Sequence, residues 1–165
     1  MVCKQRSCCS NPVMNENTPD ILKDYLAYCM RKSGYATWAP DFPRHSPTNH
    51  MKRLRILGQQ YEDAFYRVFD NMISNFDLYA PGARENYGGV VSVVFDNGNG
   101  ISWGRILGVI VFSSKLCIQA ARDNRQDVVD TIYTWLCELF GSEQLSNWML
   151  EHNGWVCKCR FHLLF

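Results

Sequence analysis

The run from Ile101 to Ala121 (ISWGRILGVIVFSSKLCIQAA) constrains the fold more than any other stretch of this chain. A helix built from it is apolar nearly all round, so no face of it can be left in water. Its richest part, Ile106 to Ala121, is interrupted by Ser113, Ser114, Lys115 and Gln119. That falls short of the roughly 20 consecutive apolar residues of a membrane-spanning helix. The run therefore reads as a buried core helix, and such a helix needs amphipathic neighbours on every side. Gly104 and Gly108 would let those neighbours approach closely.

The neighbours can be found by period. Thr18 reads as an N-cap, with Pro19 at the first helical position and Asp20 at the positive dipole end. Ile21, Leu22, Tyr25, Leu26 and Cys29 follow at helical spacing, Arg31 and Lys32 fill the last turn, and Gly34 suits a left-handed close. Residues 39–49 hold three prolines and no period, the pattern of a mobile loop. From His50 to Phe76 a long apolar face returns through Met51, Leu54, Leu57, Tyr61, Phe65, Val68, Phe69, Met72 and Ile73, long enough to bend or break once. Pro81-Gly82 marks a turn. Tyr87, Val90, Val91, Val94 and Phe95 suggest a helix, although VVSVVF also reads as a strand, and periodicity alone does not decide. Asn97 to Gly100 is a breaker.

Beyond the central run, Asp127 opens a helix lined by Val128, Ile132, Trp135, Leu136 and Leu139, and Gly141 ends it. Ser142 caps a short helix with Leu145, Trp148 and Met149. Asn153-Gly154 breaks that helix, and Trp155 to Phe165 read as a last short one. The expectation is an all-α bundle of about eight helices around a hydrophobic central helix, in one domain over residues 18–165. Residues 1–17 are polar and read as a disordered tail.

Composition narrows the function. Seventeen basic and 16 acidic residues leave a net charge of +1, so no strong field points to nucleic acid or to an acidic substrate. Eight cysteines without an apolar leader argue against a disulfide framework. Cys29, Cys117 and Cys137 fall among core-type residues, where a free Cys acts as a small hydrophobe. Cys8 and Cys9, in the polar tail, are a weak cue for palmitoylation.

Enzyme readings fail on context. Gly98-x-Gly100-x-x-x-Gly104 misses the dinucleotide spacing by one residue and follows no clear strand. No Gly-x-Ser-x-Gly occurs, no Cys or Ser has an identifiable base, and Glu62 and Asp63 are adjacent and so face apart. His152, Cys157, Cys159 and His162 are four candidate metal donors, but Cys-x-Cys is tighter than the usual zinc knuckle. The chain reads as a non-enzyme without cofactor or metal. Arg105, beginning the central helix in Ser102-Trp103-Gly104-Arg105, is suited to a two-pronged bond with a partner carboxylate, although a structural ion pair is the commoner use of such a residue.

Four segments resemble the homology motifs of the Bcl-2 family, in order. Ser102-Trp103-Gly104-Arg105 is similar to the Asn-Trp-Gly-Arg core of the first motif. Trp148 to Trp155 resembles the second, with the same Trp-to-Trp spacing. Leu54-Arg55-Ile56-Leu57-Gly58-Gln59-Gln60-Tyr61 resembles the third, and Ile21 to Trp38 the fourth. Three departures stand out. Ser102 replaces Asn, which removes one donor toward a bound partner. Gln59 replaces the third motif's Asp. The loop before Trp103 is about two residues longer than usual.

The resemblance implies a helical bundle whose groove takes the amphipathic third-motif (BH-3) helix of pro-apoptotic partners, of the Bim, Bak or Bax kind. It places the groove wall at Tyr61, Phe65, Phe69, Met72, Val91 and Val94, and the floor at Ser102, Gly104, Arg105, Leu107, Gly108 and Phe112. It implies a pro-survival regulator, with a pro-apoptotic effector that permeabilises the outer mitochondrial membrane as the alternative. The expected location is cytoplasmic, at the mitochondrial outer membrane, without a membrane anchor in this chain, as a monomer or dimer.

Overall fold

The computed structural model describes residues 18–96 and 100–156. Six α-helices run in order: α1 (Thr18–Lys32), α2 (Asn49–Ser74), α3 (Ala83–Asp96), α4 (Trp103–Arg122), α5 (Gln126–Gly141) and α6 (Glu143–Glu151). A 3-10 turn, Gly154–Val156, follows. The described residues contain no strand. The count is lower than eight because the two segments of α2 on either side of its kink at Phe65 form one element and because residues 157–165 lie outside the described part.

The central helix is α4. It packs against α1, α2, α3 and α5, which together surround it. Ile106, Val109, Ile110, Val111, Phe112, Leu116, Cys117 and Ala120 are each at most 1% exposed. By length and composition α4 could cross a membrane, yet 67% of its apolar window is buried in the bundle. The serines that interrupt it are buried and satisfied. Ser113 Oγ donates to the Val109 carbonyl at 2.8 Å and lies 2.8 Å from the Tyr87 hydroxyl, and Ser114 Oγ donates to the Val111 carbonyl at 2.7 Å. A buried hydroxyl bonded in this way costs little.

Local signals explain the boundaries. Gly34 closes α1 with φ +89°, and the Tyr35 N–H reaches back to the Met30 carbonyl at 2.8 Å. Thr48, Ser102 and Ser142 cap α2, α4 and α6 through their hydroxyls. The ambiguous valine run is helical. Tyr87, Val91 and Phe95 repeat every four residues and form the buried stripe of α3. The loop after α1 has no helix or strand, as its prolines dictate, but its first half is anchored. Trp38 is 7% exposed, its indole N–H donates to Asp130 at 2.8 Å, and Arg31 donates to the Phe42 carbonyl at 2.9 Å.

A groove on the central helix and its family

Both α2 and α3 seat on α4 but barely touch each other. Half-buried side chains of α2 and α3 flank half-buried Gly104, Arg105 and Gly108 of α4 between them, which makes this gap the candidate groove. The long second helix makes one wall and turns at Phe65, whose φ of −120° and ψ of 22° leave the helical range. Tyr61 precedes the kink at Phe65, and Phe69 and Met72 follow it. The Tyr61 ring lies 4.8 Å from Phe65 and 6.1 Å from Phe69. Its hydroxyl would sit 3.3 Å from a Cβ added to Gly108, so this tyrosine rests directly on the α4 backbone. No larger residue at 108 would leave that space.

The twelve residues expected at the groove fall into two groups. Tyr61, Phe65, Met72, Val94, Gly104, Arg105 and Gly108 are half-buried, and Ser102 is exposed. Phe69, Val91, Leu107 and Phe112 are at most 8% exposed and belong to the core beneath. Phe112 stacks edge-on against Phe76 at 5.6 Å and lies 6.1 Å from Tyr87. On α3, the half-buried Val90 shares the edge of Val94, whereas Val91 turns inward. Val68 and Val93, 54% and 64% exposed, stand on the two helices that flank the groove. The resemblance names neither Val90 nor Val93 among the groove residues, and four valines in five positions hide the phase of the helix.

Arg105 sits at the start of the floor. Its guanidinium donates to the Gly100 carbonyl and, at 3.5 Å, to the Phe95 carbonyl. Among the described residues no carboxylate reaches it within ion-pair distance. Burial pushes the Tyr61 phenol up, and the nearby Arg105 charge pulls it partly back, which places the two groups in one electrostatic neighbourhood. Ser102, in place of the motif's Asn, uses its hydroxyl to cap α4 by accepting from the Arg105 N–H at 3.3 Å. The arrangement offers an apolar trough with a cation at one end whose present partners are neutral.

The motif tryptophans meet in space. Trp103 lies 5.5 Å from Trp148 and 5.8 Å from Trp155, and Trp155 stacks on Phe140. The Trp155 indole N–H donates to Thr18 Oγ1 at 2.9 Å. The reversal that brings Trp155 back uses Asn153 and Gly154, both at positive φ. Of the four candidate metal donors, His152 stacks on Trp148, and Cys157, Cys159 and His162 lie outside the described residues. Among the described residues no three His, Cys, Asp or Glu side chains gather.

The sequence model of apoptosis regulator proteins of the Bcl-2 family matches residues 54–155. The chain belongs to the Bcl-2 family. Apoptosis regulator Bcl-2 of Gallus gallus is 28% identical over 112 residues, which are 68% of this chain and 47% of that protein. Bcl-2-like protein 1 of Homo sapiens is 28% identical over 102 residues, 62% of this chain and 42% of that protein. The chain thus spans about half the length of these relatives or less. The crystal structure of Trichoplax adhaerens trBcl-2L2 bound to trBak BH3 superposes with a TM-score of 0.73 at 28% identity, covering 86% of this chain and 94% of that one. Within this Bcl-2 family chain, the groove lies between the third-motif helix α2 and α3, with the Arg of the first motif on its floor.

Proposed function

We propose that this Bcl-2 family regulator is a pro-survival receptor that sequesters the BH-3 helices of pro-apoptotic proteins in the α2–α3 groove. The observation that carries the reading is half-buried Arg105 at the start of α4, whose side-chain partners among the described residues are the Gly100 and Phe95 carbonyls. An amphipathic guest helix would lay its apolar face against Tyr61, Phe65, Met72, Val94 and Gly108. A guest carboxylate would displace the Gly100 carbonyl from Arg105, because a charge-assisted bond is about twice as strong as one to a neutral acceptor. A family member from Trichoplax that shares this fold is bound to such a helix from Bak, which supports the partner class.

The receptor role, rather than that of an effector, is supported by how firmly α2 is fastened. An effector must release its third motif and donate it. Here Arg55 makes two bonds to Asp24 of α1, at 3.0 and 2.6 Å, and the Asp24 side chain is fully buried. Tyr25 fills the space above Gly58. Lys32 bonds Gln59, the residue that replaces the motif's Asp, and Lys115 of α4 pairs with Glu62. Lifting α2 away breaks the charged hydrogen bonds that satisfy the fully buried Asp24 carboxylate, at a cost of about 1.5–3 kcal/mol.

A liposome-release assay separates the two roles. The protein, held at vesicles resembling the outer mitochondrial membrane and given a BH-3 peptide, should release no dye and should bind the peptide. Dye release triggered by the peptide would overturn the receptor reading in favour of an effector.

A further inference from the structure

Charge is segregated along this chain in a way its net value conceals. Residues 31–55 hold six lysines and arginines and one acid, Asp41, whereas the remaining described residues hold seven basic and 14 acidic side chains. Arg55 is paired with Asp24, Arg31 donates to the Phe42 carbonyl and Lys32 donates to Gln59. Lys32, Arg44, Lys52 and Arg53 are exposed.

Three of the exposed cations lie near one apolar residue. Lys52 and Arg53 stand four and three positions before Ile56 on α2, which puts all three on one helix face. Gln59, three positions after Ile56, holds the Lys32 ammonium of α1. Ile56 itself is 61% exposed. The nearest acid along that face, Asp63, accepts from Gln59 Nε2 at 2.7 Å. An exposed isoleucine alone means little. Flanked by Lys52 and Arg53 one turn before it and by the Lys32-bonded Gln59 one turn after it, it has the chemistry of a peripheral membrane contact, in which ammonium and guanidinium groups meet anionic headgroups and an aliphatic side chain enters the acyl boundary.

We propose that this face of α1 and α2 adsorbs to membranes rich in anionic phospholipid. The contact needs no opening of the bundle, since Lys32, Lys52, Arg53 and Ile56 are all exposed. It is also independent of the BH-3 reading, because it uses the outer face of α2 rather than the side that walls the groove.

The test is co-sedimentation of the full chain with two kinds of vesicle, phosphatidylcholine alone and phosphatidylcholine containing about one-third phosphatidylserine. The expected result is partition into the anionic vesicles only, falling steeply with added salt because the surface charges are screened. Each cation near such a surface contributes about fivefold in partition, so Lys52→Gln with Arg53→Gln should lose roughly 25-fold. Ile56→Gln should lose several-fold and leave a remainder that high salt abolishes. Arg84→Gln with Arg122→Gln removes the same charge from exposed positions elsewhere and should change partition less than twofold. Far-ultraviolet circular dichroism checks that each variant keeps its helices, and Lys52→Gln alone, with a fivefold loss, serves if the double variant does not fold.

Failure of the wild type to partition into anionic vesicles would overturn the proposal. Equal losses in the two double variants would overturn it too, since net charge and not this face would then be responsible. Capture of a poly-glutamate peptide that depends on Lys52 and Arg53, without vesicle binding, would replace the membrane with an acidic protein partner.

Discussion

At the scale of single residues, the contacts that hold α2 in place are the most exposed to mutation. A Cβ added to Gly58 would lie 2.2 Å from the Tyr25 hydroxyl, and Tyr25 is 1% exposed, so the ring cannot swing out to solvent. Overpacking of that kind costs about 1–3 kcal/mol, against a helix-propensity gain of at most about 1 kcal/mol. Gly58→Ala should therefore lower the urea midpoint without changing the slope. A stabilised variant would mean that α1 and α2 are further apart than described. Asp24→Ala should cost about 1.5–3 kcal/mol by stranding Arg55, which is itself only 20% exposed. Such partners were not legible in sequence. Asp24 and Arg55 are 31 positions apart, and nothing in either helix alone announces the other. Arg105 was legible because a motif surrounds it, yet its carbonyl partners depend on how residues 95–100 lead into α4.

At the scale of elements, α3 is the least supported wall. It seats on α4 and is tied to α5 by the Tyr87–Trp135 ring contact at 5.3 Å and by an exposed ion pair, Arg84 to Glu138 at 2.6 Å, which contributes little in water. It also carries Gly88 and Gly89 inside the helix, where an added Cβ meets nothing within 4 Å. Gly88→Ala and Gly89→Ala should each stabilise the chain by about 0.5–1 kcal/mol, read as a raised urea midpoint. No gain at either position would mean that α3 frays in solution. Helix ends were legible where a residue has one physical use, as at Gly34, Ser142 and Asn153-Gly154. The interior of α3 was not, because valines suit helix and strand alike. Only burial of Tyr87, Val91 and Phe95 on α4 decides between them. The bend in α2 was foreseeable from its length, but its position at Phe65 was not, since Phe65 continues the apolar period without a Pro or Gly.

At the scale of the whole molecule, the buried thiols and phenols of the α1–α4 interface set the alkaline limit of stability. Burial pushes the Cys29 thiol up to about 11 and lifts Tyr25 and Cys117 well above their ordinary values. In the unfolded chain these groups ionise near 8.5 for thiols and about 10 for phenols. Their folded values are raised, so the stability they contribute is complete below about pH 8.5 and is lost as pH climbs toward the folded values. Urea midpoints should fall between about pH 9 and 11, and a flat profile would show that the interface is hydrated. Charge is a second property of the whole. The net value of +1 points to no directed field, yet residues 31–55 hold six bases and one acid, and the other described residues hold twice as many acids as bases. A sum over the chain cannot reveal where its terms lie.

The central claim is that the trough between α2 and α3 receives a BH-3 helix and that Arg105 meets its carboxylate. Calorimetric titration of the chain and of Arg105→Ala with BH-3 peptides of the Bim, Bak and Bax kind tests it most directly. The account predicts sub-micromolar binding of at least one peptide, weakened by about 1.5–3 kcal/mol in the variant, the range for a hydrogen bond to a charged group. Absence of binding to every peptide, or binding that Arg105→Ala leaves unchanged, would contradict it.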